Sequence, residues 1–280
     1  MVLMAAIVLV ATACEGGGGG GGATTSGGPT QTPTQTPTPT STPTVTFEVW
    51  FGYGEFLFVT QRTQPSTSRV GTAAMEALLA GPSTEERAAG IGTSIPRGTE
   101  LLGLSIAGGI ATVNLTDAFA SGGGSLSMFS RLAQLTYTLT QFPTVRGVDL
   151  ELDGTPVEVF SGEGIILDRP MTRRSYRDRL PPILVRSPAV GEEVSSPIRV
   201  SGTANVFEAT VSISVLDALG HEVVGTFAQA TCGSGCRGTY SEAVSYTVDH
   251  SQPGTVRVYE SSAEDGQPIN VVDIPVILTA

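Results

Sequence analysis

No lysine occurs in this 280-residue sequence, so all fifteen basic residues are arginines. That absence excludes Schiff-base chemistry and Ser–Lys nucleophilic pairs, which need an amine of tunable pKa. Histidine is limited to two residues and cysteine to three. A zinc centre needs about four converging ligands, so no metal is expected, and no cofactor either. There is no G-x-S-x-G segment, and no serine, histidine and acid stand in a hydrolase-like context. EF-hand spacing is missing as well. Against 26 acidic residues the arginines leave a net charge of −11. An acidic surface repels phosphate backbones, which argues against nucleic-acid binding by counterion release.

What is present is unevenly distributed. Hydrophobic residues make up 40% of the chain, enough to build a core, while much of the glycine and proline is crowded into one tract. Residues 1–13 (MVLMAAIVLVATA) are apolar without a break. They are too few to span a bilayer as a helix, which takes about 20 residues, and suit the apolar part of a secretory signal. No basic residue precedes them, which predicts a start codon further upstream. The small residues Ala11, Thr12 and Ala13 before Cys14 resemble the bacterial lipobox. This implies a diacylated Cys14 and a protein lipid-anchored to the cell membrane on its extracytoplasmic face. Residues 15–44, glycine-rich and then Thr/Pro/Gln-rich, cannot bury a core and read as a disordered tether.

Residues 45–168 read as an α+β domain, with two helices on a mixed sheet. Aromatic and β-branched runs at 47–53 and 55–60 predict strands. Residues 72–80 have helical periodicity and stop at Gly81-Pro82. Ser83 with Glu86 three residues later is a capping-box pattern. Residues 101–107 and 110–114 flank Gly108-Gly109 as a hairpin. A longer helix is predicted over 126–142, with Leu126, Phe129, Leu132, Ala133 and Leu139 along its apolar stripe. A last hairpin follows, 145–152 turning at Asp153-Gly154 and returning over 156–160.

The segments AAMEALLAGP (73–82), IPRGT (95–99), IATVNL (110–115), QLTYTLTQFPTV (134–145) and VDLELDG (148–154) resemble the GerMN domain of sporulation and germination proteins. The resemblance implies an extracytoplasmic interaction domain without known enzymatic activity. Beside it, Gln134 and Thr138 read as caps for backbone groups at a sheet edge.

Residues 183–280 carry seven short alternating runs separated mostly by Gly- or Pro-containing turns, the pattern of an all-β immunoglobulin-like sandwich. SPIRVSGT (196–203), ANVFEA (204–209) and IPVIL (274–278) resemble the immunoglobulin-like domain of bacterial spore germination. With Cys14 acylated, Cys232 and Cys236 remain as an even pair. An oxidising compartment favours a disulfide between them, a free dithiol being the alternative. His221 and His250 read as surface residues near turns.

Charge divides the chain into three. Residues 47–168 and 183–280 are each −7, while the linker 169–182 carries five arginines against Asp178. The linker arginines either pair with acidic faces of the two domains or contact an anionic partner, and Arg173, Arg174 and Arg177 are the candidates for such a contact. The reading that results is a non-enzymatic surface lipoprotein. Its partners are envelope proteins or cell-wall polymer, and its membrane contact is the lipid anchor. A ligand-sensing module for a membrane signalling partner is the alternative, favoured by an interdomain cleft lined by aromatics such as Trp50, Phe51 and Tyr53. A cell-wall hydrolase would require clustered carboxylates in a cleft.

Overall fold

In the first domain, β1 (Thr44–Tyr53) and β2 (Phe56–Pro65) pair antiparallel in unbroken register around a two-residue turn. These belong to a computed structural model that describes residues 42–167 and 170–280. The expected signal segment with Cys14, the tether up to residue 41, and Arg169 lie outside the described residues. Residues 42–280 form one compact unit.

Helix α1 (Val70–Ala80) ends at Gly81, whose φ of 82° is open to glycine at no steric cost, and Pro82 blocks continuation. The short α2 (Thr84–Ala88) opens with the reciprocal capping box: the Glu86 N–H donates to Ser83 Oγ and the Ser83 N–H donates to the Glu86 carboxylate. Strands β3 (Leu101–Ala107) and β4 (Ile110–Leu115) join through Gly108 and Gly109, with φ of 60° and 87°. This is the pair of positive φ values a type I′ turn needs. Helix α3 (Ser125–Leu139) then carries the chain across to β5 (Gly147–Leu152), which runs parallel to β4.

Two details depart from the sequence reading. The return strand expected over 156–160 pairs with β5 only as β6 (Thr155–Pro156). Pro156 has no N–H to donate, and Phe160 turns inward to pack on Phe119, ring centroids 5.5 Å apart. The chain there forms a separate ribbon, β7 (Val159–Phe160) with β8 (Ile165–Ile166). The mixed sheet is thus β3-β4-β5-β6, and β1-β2 stands as a second sheet. The apolar stripe of α3 also differs. Leu126 and Phe129 are exposed, while from Arg131 to Leu139 every residue is buried, Arg131, Gln134, Thr136 and Thr138 included. Layers on opposite sides of the helix enclose its second half, so no single stripe describes it.

The carboxylate that caps α2 is also a buried ion-pair centre. Glu86 is 3% exposed and receives both guanidinium arms of Arg62, at 2.7 and 2.6 Å, as well as the Thr60 hydroxyl. Burial pushes its pKa up. The hydrogen bonds from Arg62, Thr60 and the Ser83 N–H together outweigh burial and hold the carboxyl below its ordinary value. A depressed folded pKa contributes stability that is complete above the unfolded value and is lost as pH falls through the folded one. Glu86→Gln is therefore expected to cost about 2 kcal/mol at neutral pH and to flatten the decline of stability below about pH 5. Denaturant unfolding at stepped pH checks this, and parallel acid limbs for the two proteins would refute it.

The basic stretch is not a free linker. Met171 exchanges backbone hydrogen bonds with Val148 of β5, at 2.8 and 2.9 Å. A 3-10 segment over Arg173–Arg179 buries Tyr176.

The second domain is a sandwich of two sheets. Its strands are β9 (Ile183–Ser187), β10 (Glu193–Val194), β11 (Ile198–Ala204), β12 (Thr210–Leu216), β13 (Glu222–Gln229), β14 (Gly238–Val244), β15 (Gln252–Ser261) and β16 (Pro268–Leu278). One sheet has the order β10-β16-β15-β12-β13 and the other β14-β11-β9. All seven expected strands are present, and the two-residue β10 is additional. The alternation Val211, Ile213, Val215 on β12 and Ile274, Val276, Leu278 on β16 faces Ile198, Val200 and Ala204 of β11, all of them buried.

Candidate functional site

The outer edge of β1 meets side chains of α3 and the turn after it instead of a third strand. The Trp50 N–H donates to Thr138 Oγ1 at 3.1 Å. The Gln141 amide closes a pair with Glu48, accepting from its N–H and donating to its carbonyl, both at 2.6 Å. Thr138 is thus a sheet-edge cap. Gln134 is not: its Oε1 accepts from Thr93 Oγ1 and the Ser94 N–H of a loop, at 3.1 and 3.3 Å. Edge capping fixes Glu48 and Trp50, which share one face of the strand.

Around them the two domains meet. Trp50 is fully buried, with the Tyr137 ring of α3 at 4.8 Å. Arg173, from the basic stretch, lies 5.3 Å from the Trp50 ring and 4.9 Å from that of Tyr137. Arg186, from β9, lies 6.0 Å from Trp50. Both guanidinia therefore sit within cation–π range of the same indole. Glu48 serves all three partners: Oε2 accepts from Trp50 Nε1 at 3.1 Å and lies 4.0 Å from Arg173, while Oε1 lies 3.1 Å from Arg186 Nε.

Arg173 is further held by donation to Thr140 Oγ1 at 3.0 Å and to the Tyr137 carbonyl at 3.1 Å. Burial lowers its pKa, and the like charge of Arg186 acts in the same direction, with Glu48 opposing. Burial raises the Tyr137 hydroxyl, opposed by Arg173 and Arg237. Beside the cluster opens a cleft of about 530 Å³, lined among others by Thr46, Glu48, Gln61, Thr140, Arg173 and Arg186.

The residues expected to contact an anionic partner separate. Arg173 is built into the junction, whereas Arg174 and Arg177 are exposed, and Arg177 lies 3.7 Å from its neighbour Asp178. Trp50 and Phe51, expected to line a cleft, are both wholly buried, and Tyr53 is 43% exposed. Cys232 and Cys236 are joined as a disulfide with Cα atoms 5.7 Å apart. The adjacent Arg237 donates to the Pro181 carbonyl and, at 3.2 Å, to that of Thr203, which ties the end of the basic stretch to the sandwich. His221 and His250 are exposed, His221 lying 3.4 Å from Asp217. Sequence reasoning missed Glu48 and Arg186. Each is one charged residue within a strand pattern, and only the packing of two domains brings them together. Among the described residues no group of three or more His, Cys, Asp or Glu is arranged to hold a metal, and no helix is long and apolar enough to cross a membrane.

Residues 34–158 match the Germane family, described as sporulation and spore germination, and residues 182–267 match Gmad2, the immunoglobulin-like domain of bacterial spore germination. Among solved structures, the first GerMN domain of the Bacillus subtilis sporulation protein GerM is similar at 21% identity, covering 46% of this chain and 98% of that one, with a TM-score of 0.38. The tandem GerMN domains of the same protein give 12% identity over 85% of this chain and 61% of that one, TM-score 0.42. An inferred lipoprotein from Clostridium perfringens gives 18% identity, with 49% and 93% covered and a TM-score of 0.36. A search of curated proteins finds no match. The chain therefore carries a Germane domain, of the sporulation and spore-germination family, followed by the Gmad2 immunoglobulin-like domain of bacterial spore germination.

Proposed function

We propose that this protein is a lipid-anchored, non-catalytic interaction module of the cell envelope, held to the membrane through Cys14 and related in role to sporulation proteins. The observation that carries the reading is the junction. A carboxylate on β1 is shared by a guanidinium from the basic stretch and one from the sandwich, and Arg237 adds a second tie. Such a junction joins two domains of known sporulation families within one compact unit, which suits an adaptor that holds partners in fixed geometry. Exposed Arg174 and Arg177 remain available to envelope proteins or cell-wall polymer. The sensing alternative draws support from the cleft beside Glu48, although Phe47 apart its lining is polar and includes none of Trp50, Phe51 and Tyr53.

Cell fractionation with and without Cys14→Ser tests the anchor. The native chain is expected in the membrane fraction and the variant in the soluble or secreted one. Cross-linking with the anchor intact is expected to recover an envelope protein or wall fragment. An unchanged distribution of the variant, or the absence of any cross-linked species, would count against the reading.

A further inference from the structure

We propose that the cleft at Glu48, Arg173 and Arg186 binds a monoanionic, hydroxyl-bearing group: one carboxylate or phosphodiester carried on a sugar or polyol unit. The inference names a ligand class for the envelope module proposed above and rests on it only for where such a ligand would be met.

The first argument is an imbalance of charge. Two guanidinia converge on a single carboxylate, so the cluster keeps one positive charge inside a protein of net charge −11. An overall acidic field does not collect anions, so attraction here is local to the cleft. The second argument is an imbalance of hydrogen bonds. Glu48 Oε2 is engaged by the Trp50 indole N–H. Arg186 Nε comes within 3.1 Å of Oε1, yet it is buried without a hydrogen-bond partner among the described residues, because the N–H is not aimed at the oxygen. The Nε itself is closed to a ligand, but the Arg186 side chain is 35% exposed and lines the cleft, so its terminal nitrogens are the donors that can meet an incoming oxyanion. Arg173 differs, since Thr140 and the Tyr137 carbonyl already occupy two of its donors. Arg186 is therefore the group that receives the ligand, and Arg173 supplies background charge.

The lining selects the rest of the ligand. Thr46, Gln61 and Thr140 offer hydroxyl and amide groups to sugar or polyol hydroxyls. A volume of about 530 Å³ falls in the range of small-molecule sites. Trp50 lies beneath the cluster, fully buried, so recognition relies on charge and hydrogen bonds without a stacking platform.

Calorimetric titration of the purified full chain tests this with three probes: N-acetylmuramic acid for a carboxylate, glycerophosphoglycerol for a phosphodiester, and neutral N-acetylglucosamine. Saturable binding is expected for at least one acidic probe and none for the neutral one; the acidic probe that binds identifies the source of the anion. Arg186→Gln is expected to abolish binding. Glu48→Gln removes the competing carboxylate and is expected to tighten binding about fivefold, the factor for one unit charge at close range in a solvated site. That gain separates a ligand site from a merely structural cluster, in which losing Glu48 could only loosen the junction. No saturation by either acidic probe, undiminished binding to Arg186→Gln, or binding to Glu48→Gln that is equal or weaker would each overturn the proposal. None of these readouts depends on Cys14, so the anchor and the site fail separately.

Discussion

Substituting alanine for Gly202 is expected to unfold the sandwich domain. Gly202 lies in β11 between two paired neighbours, Tyr240 of β14 and Val185 of β9, at the point where the β9 register shifts. A Cβ at this position would fall inside the van der Waals shell of the Leu184 carbonyl oxygen and 2.8 Å from the Tyr240 hydroxyl. Those two atoms are themselves hydrogen-bonded at 3.2 Å, and both residues are buried. Relief would require moving the backbone of β9 away from β11, the central strand of its sheet, which costs more than the ~1–3 kcal/mol usual for overpacking by side chains alone. Gly92→Ala is the control: its Cβ would meet nothing within 4 Å, so it is expected to stay within ~0.5 kcal/mol of the native protein. Denaturant unfolding with near-ultraviolet circular dichroism compares the two. A Gly202→Ala protein as stable as Gly92→Ala would show that β9 yields easily and the argument fails.

The second large effect is expected at Arg131. Its guanidinium is buried and has no carboxylate partner among the described residues; it donates instead to the carbonyls of Ser94, Phe119, Ser121 and Gly122, at 2.6–2.8 Å, and to Ser127 Oγ at 3.2 Å. One side chain thus ties the loop before β3 to the loop before α3. Burial lowers its pKa, but a guanidinium starts high enough to stay charged. Arg131→Lys offers three donors from a single point where five diverge. At least two acceptors then lose their partner, at ~1–3 kcal/mol each, and burial would press the amine toward its neutral form. A loss of about 3 kcal/mol or more is expected, with hydrogen exchange accelerated first in residues 119–124. A variant within ~0.5 kcal/mol of the native protein would refute this account of the loop.

The sequence revealed most where structure is set locally. The glycine stop of α1, the Ser83–Glu86 box, the Gly108-Gly109 hairpin and the seven sandwich strands depend on residues a few positions apart, and each formed as read. What escaped depends on what packs against what. Leu126 and Phe129 fit a helical stripe, yet the helix is enclosed further along, so its first turn projects into solvent. The five arginines after residue 168 read as a linker that either pairs with acidic faces of the two domains or contacts an anionic partner. Met171 and Tyr176 among them are the residues that fasten the segment down, but two apolar residues in a basic run are too weak a signal to show it. Glu86 was legible as a cap and illegible as the partner of Arg62, because that pairing needs β2 and α2 to come together. The same holds for Glu48 and Arg186, whose meeting needs two domains.

Trp50 is the only tryptophan in the chain, and it lies where the two domains share their charges. Its intrinsic fluorescence is therefore an optical gauge of that one contact. If the domains part before either unfolds, water reaching the indole would shift its emission to the red while the circular dichroism of both domains stays unchanged. Energy transfer from the adjacent Tyr137 would persist, because both rings belong to the first domain, and so separates parting of the domains from unfolding of the first. No label needs to be introduced, and any partner that pries open or clamps the joint would announce itself in the emission spectrum of the unmodified protein.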